Sequence, residues 1–220
     1  MPKTTIVGRM RLKTGFALNH LKAATNAARA AYKIEQANKG AAFGPWFDGL
    51  VVAVPVSVVM AAAALEANAN ESLQNILDGF TNHRLSPCGR TLLTDLKEDR
   101  SGNATEKYRR IALLTDKEPK TDHEHWRQAK LLLKFRNEFM HFRPTWDDED
   151  FHSKGFTEEM KKLVPVVDAY KGNFIFPHGF MTYGCAKWAV ETVLVFSHEF
   201  GKLLDIKNGF EAAASDFTLP

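Results

Sequence analysis

Cysteine is scarce in this chain: two residues, Cys88 and Cys185, stand far apart in 220 positions. Such spacing supports neither a disulfide framework nor a paired-cysteine metal or redox motif, and it fits a reducing, cytoplasmic compartment. A strand signature is missing too, because no segment sustains an apolar/polar alternation. No glycine-rich phosphate loop, HExxH pair or serine elbow occurs, which removes the common phosphate-loop, zinc-protease and serine-hydrolase chemistries. Acidic residues are absent before Glu35, whereas seven basic ones precede it: Lys3, Arg9, Arg11, Lys13, Lys22, Arg29 and Lys33. This stretch lacks the serine richness of a transit peptide and the flanked early apolar run of a signal peptide. It reads as a basic helix face, either solvated or turned to phosphates or an acidic partner. The net charge of +3 is too small to argue for nucleic acid by itself.

What is present is ordinary core-forming material, with 45% hydrophobic and 25% charged residues. The longest apolar run, "GLVVAVPVSVVMAAAALEA" from Gly49 to Ala67, has about the length of a short membrane span. Pro55, Glu66 and a block of four alanines weigh against insertion, since alanine contributes little to it. The run is expected to be a central core helix, with no membrane partner.

Helical periodicity dominates elsewhere. Leu21, Ala24, Ala28 and Ala31 recur at three- and four-residue steps and predict a basic N-terminal helix over 14–36. "NKGAAFGPWFDG" breaks the chain, and the apolar helix is expected to start near Pro55 and run to about Asp78, over 55–78. Residues 81–103, with "SPCGR" and "DRSGN", read as loop, followed by a short helix over 105–114. Thr121 and Glu124 form a capping-box pattern that predicts a helix over 122–142, closed by Arg143 before Pro144. A shorter helix is expected in "TEEMKKLVPVV", an irregular stretch at "GNFIFPHGF", and a last helix over 183–204. There, Ala189, Val193, Phe196 and Phe200 share one face. With no repeat and no linker, the expectation is an all-α, single-domain helical bundle of about five to six helices covering 1–220.

The most informative stretch is "KFRNEFMHFRP", Lys134 to Pro144. At about 100° per residue, Lys130, Lys134, Asn137, His141, Arg127 and Glu138 share one polar stripe of the helix over 122–142. Leu131, Leu132, Phe135, Phe139, Phe142, Met140 and Trp126 fill the remaining arc, and Arg136 falls among them. An arginine in such a position requires a partner, because a buried unpaired charge costs several kcal/mol or more. Glu66, alone on an alanine-rich face of the central helix, is the expected partner, with Asn70 adding a hydrogen bond.

The segment Arg136-Asn137 to His141 resembles the R-x4-6-H signature of HEPN domains, with a polar residue after the arginine, and "LEANANE" ahead of it adds to the likeness. The resemblance covers roughly residues 55–144, with the last helix completing the bundle. It implies an all-α, usually dimeric domain, and for many members a metal-independent endoribonuclease of toxin–antitoxin or antiviral defence systems, requiring no cofactor. Under that implication His141 is the general acid or base, Arg136 stabilises charge on the scissile phosphate, and Asn137 orients either the phosphate or the histidine. Glu66 and Asn70 support the site, and Lys130, Lys134 and Arg143 guide RNA. The implied partners are RNA, a second copy of the chain, and an antitoxin or other protein. A different reading stays open: a non-catalytic HEPN-like interaction module whose Arg136–Glu66 pair is structural. On a regular helix Arg136 and His141 lie about 140° apart, so a catalytic motif within one chain requires a bend between them, or a second subunit.

Other candidates are weaker. His123 and His125 point to nearly opposite sides of a helix, and a metal site would need His152 and the acidic run 147–150 as well. That acidic run reads as a solvated loop or a contact for a basic partner. His178, Tyr183, Cys185 and Trp188 read as aromatic packing where a loop enters the last helix, because no basic partner for Cys185 is placed by the sequence.

Overall fold

A computed structural model describes residues 13–99, 103–143 and 154–220. Among these, seven α-helices carry the fold: α1 (Ala17–Ala37), α2 (Phe47–Leu77), α3 (Pro87–Glu98), α4 (Ala104–Leu114), α5 (Glu124–Met140), α6 (Lys154–Leu163) and α7 (Tyr183–Leu204). Three short 3₁₀ segments, Asp168–Tyr170, His178–Phe180 and Glu211–Phe217, complete them, and no strand occurs among the described residues. The all-helical expectation holds, with more helices than the five to six expected.

The bundle is organised around α2, which packs against α1, α7, α5, α3 and α4. Small side chains allow the three longest helices to approach closely: Ala24, Ala28 and Ala31 on α1, Ala61 and Ala62 on α2, and Ala186 and Ala189 on α7 are fully buried. At their junction the buried Ser57 hydroxyl lies 3.0 Å from the Ala24 carbonyl and 3.2 Å from that of Ala186, so one polar atom ties three helices. Its single proton, shared between the two carbonyls, offsets the cost of burying the hydroxyl. Toward the other end, Tyr108 of α4 is buried, donates to the Leu65 carbonyl at 2.9 Å and accepts from Asn68 at 2.9 Å. Phe135 of α5 centres an aromatic cluster with Phe139, Phe156, Phe180 and Trp188.

The central helix passes the length and hydropathy test of a membrane span, yet half of its most apolar window is buried against other helices. It occupies the position of a core helix in a packed bundle. It begins at Phe47, two turns before the expected start, and carries Pro55 inside it. Proline removes one ladder bond, but Leu50, Ala53 and Val54 bury their side chains in those added turns. The segment 81–103 is not all loop. Ser86 caps α3 by accepting the Gly89 amide at 3.0 Å, Pro87 opens the first turn, and Leu93 and Leu96 are buried. The expected capping box at Thr121 does not form: α5 starts at Glu124 with His123 as its N-cap residue and no side-chain cap. The short helix at 104–114 and the last helix at 183–204 fall where expected.

Three of the described basic residues of the N-terminal stretch make contacts within the molecule. Lys22 pairs with Asp216 at 2.8 Å, and Arg29 donates to the carbonyls of Asp216 and Thr218 at 2.8 and 3.0 Å. Lys13 pairs with Asp78 at 3.0 Å. These side chains fasten the 3₁₀ segment after α7 and the end of α2, while Lys3, Arg9 and Arg11 lie outside the described residues.

Candidate functional site

Glu66, in the middle of α2, meets Arg136, near the end of α5, in an ion pair through Oε1 and Nη2. The pairing expected from the two helical faces is present. Its setting is wetter than a core position: the Arg136 side chain is 26% exposed and that of Glu66 40%. Arg136 therefore lies at the margin of the apolar arc, with its head group at the edge of the α2–α5 contact. Asn70 does not join the pair, contrary to expectation. It sits one turn further along α2, and its Oδ1 accepts from the nearly buried Lys107 of α4 at 3.0 Å.

The helix does not bend between Arg136 and His141. α5 runs regularly from Glu124 to Met140, and the His141 amide still donates to the Asn137 carbonyl at 2.9 Å. His141 is the C-cap residue and is exposed, as is Asn137. Arg136 thus faces α2, while Asn137 and His141 face solvent about 100° and 140° away around the axis. Lys130 and Lys134 share the exposed stripe, and the Lys134 ammonium lies 5.0 Å from the Phe156 ring centre. Arg143 follows the helix and is exposed. Arg127 is engaged by Glu124 at 3.1 Å and Glu159 at 3.8 Å. Met140 and Phe142, expected in the core arc, are instead exposed, although the Phe142 ring keeps a contact with Phe176 at 6.4 Å and Phe139 of the same turn packs on the core.

Among the described residues, the other candidates make packing contacts. His123 and His125 sit with ring centres 5.7 Å apart, and His125 packs on Phe196; His152 and the acidic run 147–150 lie outside the described residues. Burial lowers the His125 pKa. His178 stacks on Phe47 at 6.4 Å, and its Nδ1 is buried without a hydrogen-bond partner. Cys185 is fully buried, and that burial pushes its thiol pKa far up, the opposite of an activated nucleophile.

Two carboxylates of structural weight were not singled out from the sequence. Glu71 of α2 accepts the amides of Phe16 and Ala17 at 2.7 and 2.9 Å, capping α1 where no local side chain does. Gly15 allows this approach: a Cβ there would come within 2.7 Å of the carboxylate. Glu35 of α1 accepts the Tyr183 amide at 2.6 Å, capping α7 together with Thr182. Cross-helix caps have no local sequence signature, since donor and acceptor lie more than fifty residues apart in each case.

The class defined by these observations is an all-helical bundle protein with an exposed polar helix end carrying His141. No protein-family model, curated protein or solved structure matches the chain.

Proposed function

We propose that this chain is a HEPN-like helical interaction module in which Arg136 and Glu66 form a structural pair and the end of α5 is a contact surface. The observation that carries this reading is the regular course of α5 through Met140 with Arg136 engaged by Glu66. Arg136 and His141 lie about 140° apart around the axis of a regular helix, which favours a structural role for Arg136 over one scissile bond shared with His141 within one chain. The surface on offer combines Lys130, Lys134, Asn137 and His141 with the exposed Met140 and Phe142, a mixture of charge and apolar area suited to a partner protein. The test is RNA cleavage by metal-free wild type and His141→Ala on varied RNAs. Neither protein is expected to cleave, and cleavage by wild type that is lost in His141→Ala overturns the module.

A second reading is favoured by the exposed Met140 and Phe142 flanking His141. Apolar side chains beside the motif suit self-association, and a homodimer joined there would form a metal-independent endoribonuclease site from Arg136, Asn137 and His141 of two chains. In a toxin-like effector, an antitoxin would cover the same surface. Sedimentation of wild type against Met140→Lys separates the readings: a dimer dissolved by the substitution, with RNA cleavage lost in parallel, supports the composite site.

A further inference from the structure

Glu35 and the aromatic break after α1 form a cleft that the α5 reading leaves unused. The cleft, of about 520 Å³, lies between the end of α1, the 38–46 turn, the start of α2 and the 165–169 segment. That volume falls within the range of small-molecule pockets. Phe43 and Trp46 line it, Leu50 and Met181 add apolar surface, and Glu35 is a half-buried carboxylate among them. One Glu35 oxygen is committed to the Tyr183 amide. No Lys, Arg or His among the described residues lies within ion-pair distance of either oxygen, and Lys39, which also lines the cleft, makes no such contact. Asp168, the second acid of the cleft, is held by Lys171 at 2.6 Å on the outer face.

A half-buried carboxylate without a cation is energetically uncomfortable, and its effect is visible in the direction of its titration. Burial raises the Glu35 pKa above 4.5, and the Tyr183 amide opposes this only in part. The lack of a counter-charge among the described residues and the aromatic walls define one complementary chemistry. A compact organic cation places positive charge against the carboxylate and its methylene or methyl groups against Phe43 and Trp46, whose ring faces attract cations. An inorganic metal ion fits poorly, because the cleft offers few oxygen ligands beside Glu35 and Asp168.

We propose that this cleft binds a small organic ammonium compound, with Glu35 as the counter-ion and Phe43 and Trp46 as the aromatic wall. The site is separate from the end of α5 and stands whether or not the interaction-module reading does.

The test is titration of the whole chain with n-butylammonium and tetramethylammonium, followed by calorimetry and by amide and indole NMR shifts of Tyr183 and Trp46. n-Butanol serves as the neutral control, and N-acetyl-lysine methylamide represents a peptide-borne ammonium. Saturable binding of the two amines is expected, with shifts at both reporters. Glu35→Gln keeps an acceptor for the Tyr183 amide while removing the charge, and is expected to weaken binding about tenfold at unchanged fold. Trp46→Leu should weaken it by a smaller factor. Equal binding by Glu35→Gln, equal binding of n-butanol, or no saturable amine binding at all overturns the proposal. Markedly tighter binding of the lysine amide than of either free amine overturns the small-molecule assignment.

Discussion

Removing the Glu66 charge is the sharpest probe of how Arg136 is used. The pair joins α2 and α5, and its side chains are 26% and 40% exposed. That places it between two limits: exposed pairs contribute ~0.2–1 kcal/mol, whereas stripping one partner from a buried pair costs ~3–5 kcal/mol. A coupling of about 1 kcal/mol is expected, with each single variant, Glu66→Gln and Arg136→Met, losing about 1–2 kcal/mol. The double variant should lose less than the sum of the two, because a methionine in place of the arginine needs no counter-charge and its thioether packs on the apolar rim of α5. Urea denaturation of all four proteins, read by circular dichroism at constant m-value, measures the cycle. A coupling indistinguishable from zero refutes the structural pairing, since Arg136 would then be free to serve another ligand. Retention of that coupling with RNA cleavage abolished in both singles would place the pair in a functional site instead.

Three other outcomes follow from the same geometry. Glu71→Ala removes an acceptor shared by two otherwise uncapped amides of α1 and should cost ~1–2 kcal/mol, with Glu71→Gln costing less because one acceptor oxygen remains; differential scanning calorimetry decides, expecting a Tm loss of about 2–8 °C. A Glu71→Ala protein that melts with wild type excludes the cross-helix cap. Glu35 carries a raised pKa, so its protonated form is the one the folded state prefers. Its contribution is therefore fully present below the ordinary value of 4.5 and fades as pH rises through the elevated folded pKa. Glu35→Gln should accordingly gain stability relative to wild type as pH rises above that value, and a flat difference across the window in urea melts refutes the desolvation argument. Glu106 runs the other way, as Arg109 and Arg110 hold its carboxyl at about 2, so its small surface contribution fades as pH falls from 4.5 toward 2. A side-chain NMR titration of Glu106 with its midpoint at 4.5 would exclude that hold.

Much of the fold was legible from periodicity. The last helix and the alanine face of α1 follow from apolar residues at three- and four-residue steps, a pattern written locally. The Arg136–Glu66 pair was legible as well, because two lone ionisable groups on apolar helix faces each require a partner. Where local signals misled, a non-local gain or a rival local one prevailed. Pro55 reads as a helix start, yet burying Leu50 and Val54 against the bundle carries α2 through it. Ser86-Pro87 reads as a turn, although serine followed by proline is equally a helix cap and first turn. Thr121 and Glu124 read as a capping box, but the chain turns tightly there and the helix starts two residues later than expected, at Glu124.

By itself the sequence determined that this protein is built of helices, which faces they bury, and that Arg136 and His141 part company on any regular helix, since rise and twist per residue depend on the backbone alone. Only the tertiary structure decided which distant groups meet. Lys22 and Arg29 turn to the segment after α7, Asn70 goes to Lys107 rather than to Arg136, and Glu71 and Glu35 cap helices to which they do not belong. Those partners are chosen by packing across the bundle, where a few ångströms separate residues that lie tens of positions apart along the chain. The straight run of α5 to Met140 belongs to both levels: its residues permit a regular helix, and the packing of its earlier turns against α2 and α7 keeps it one.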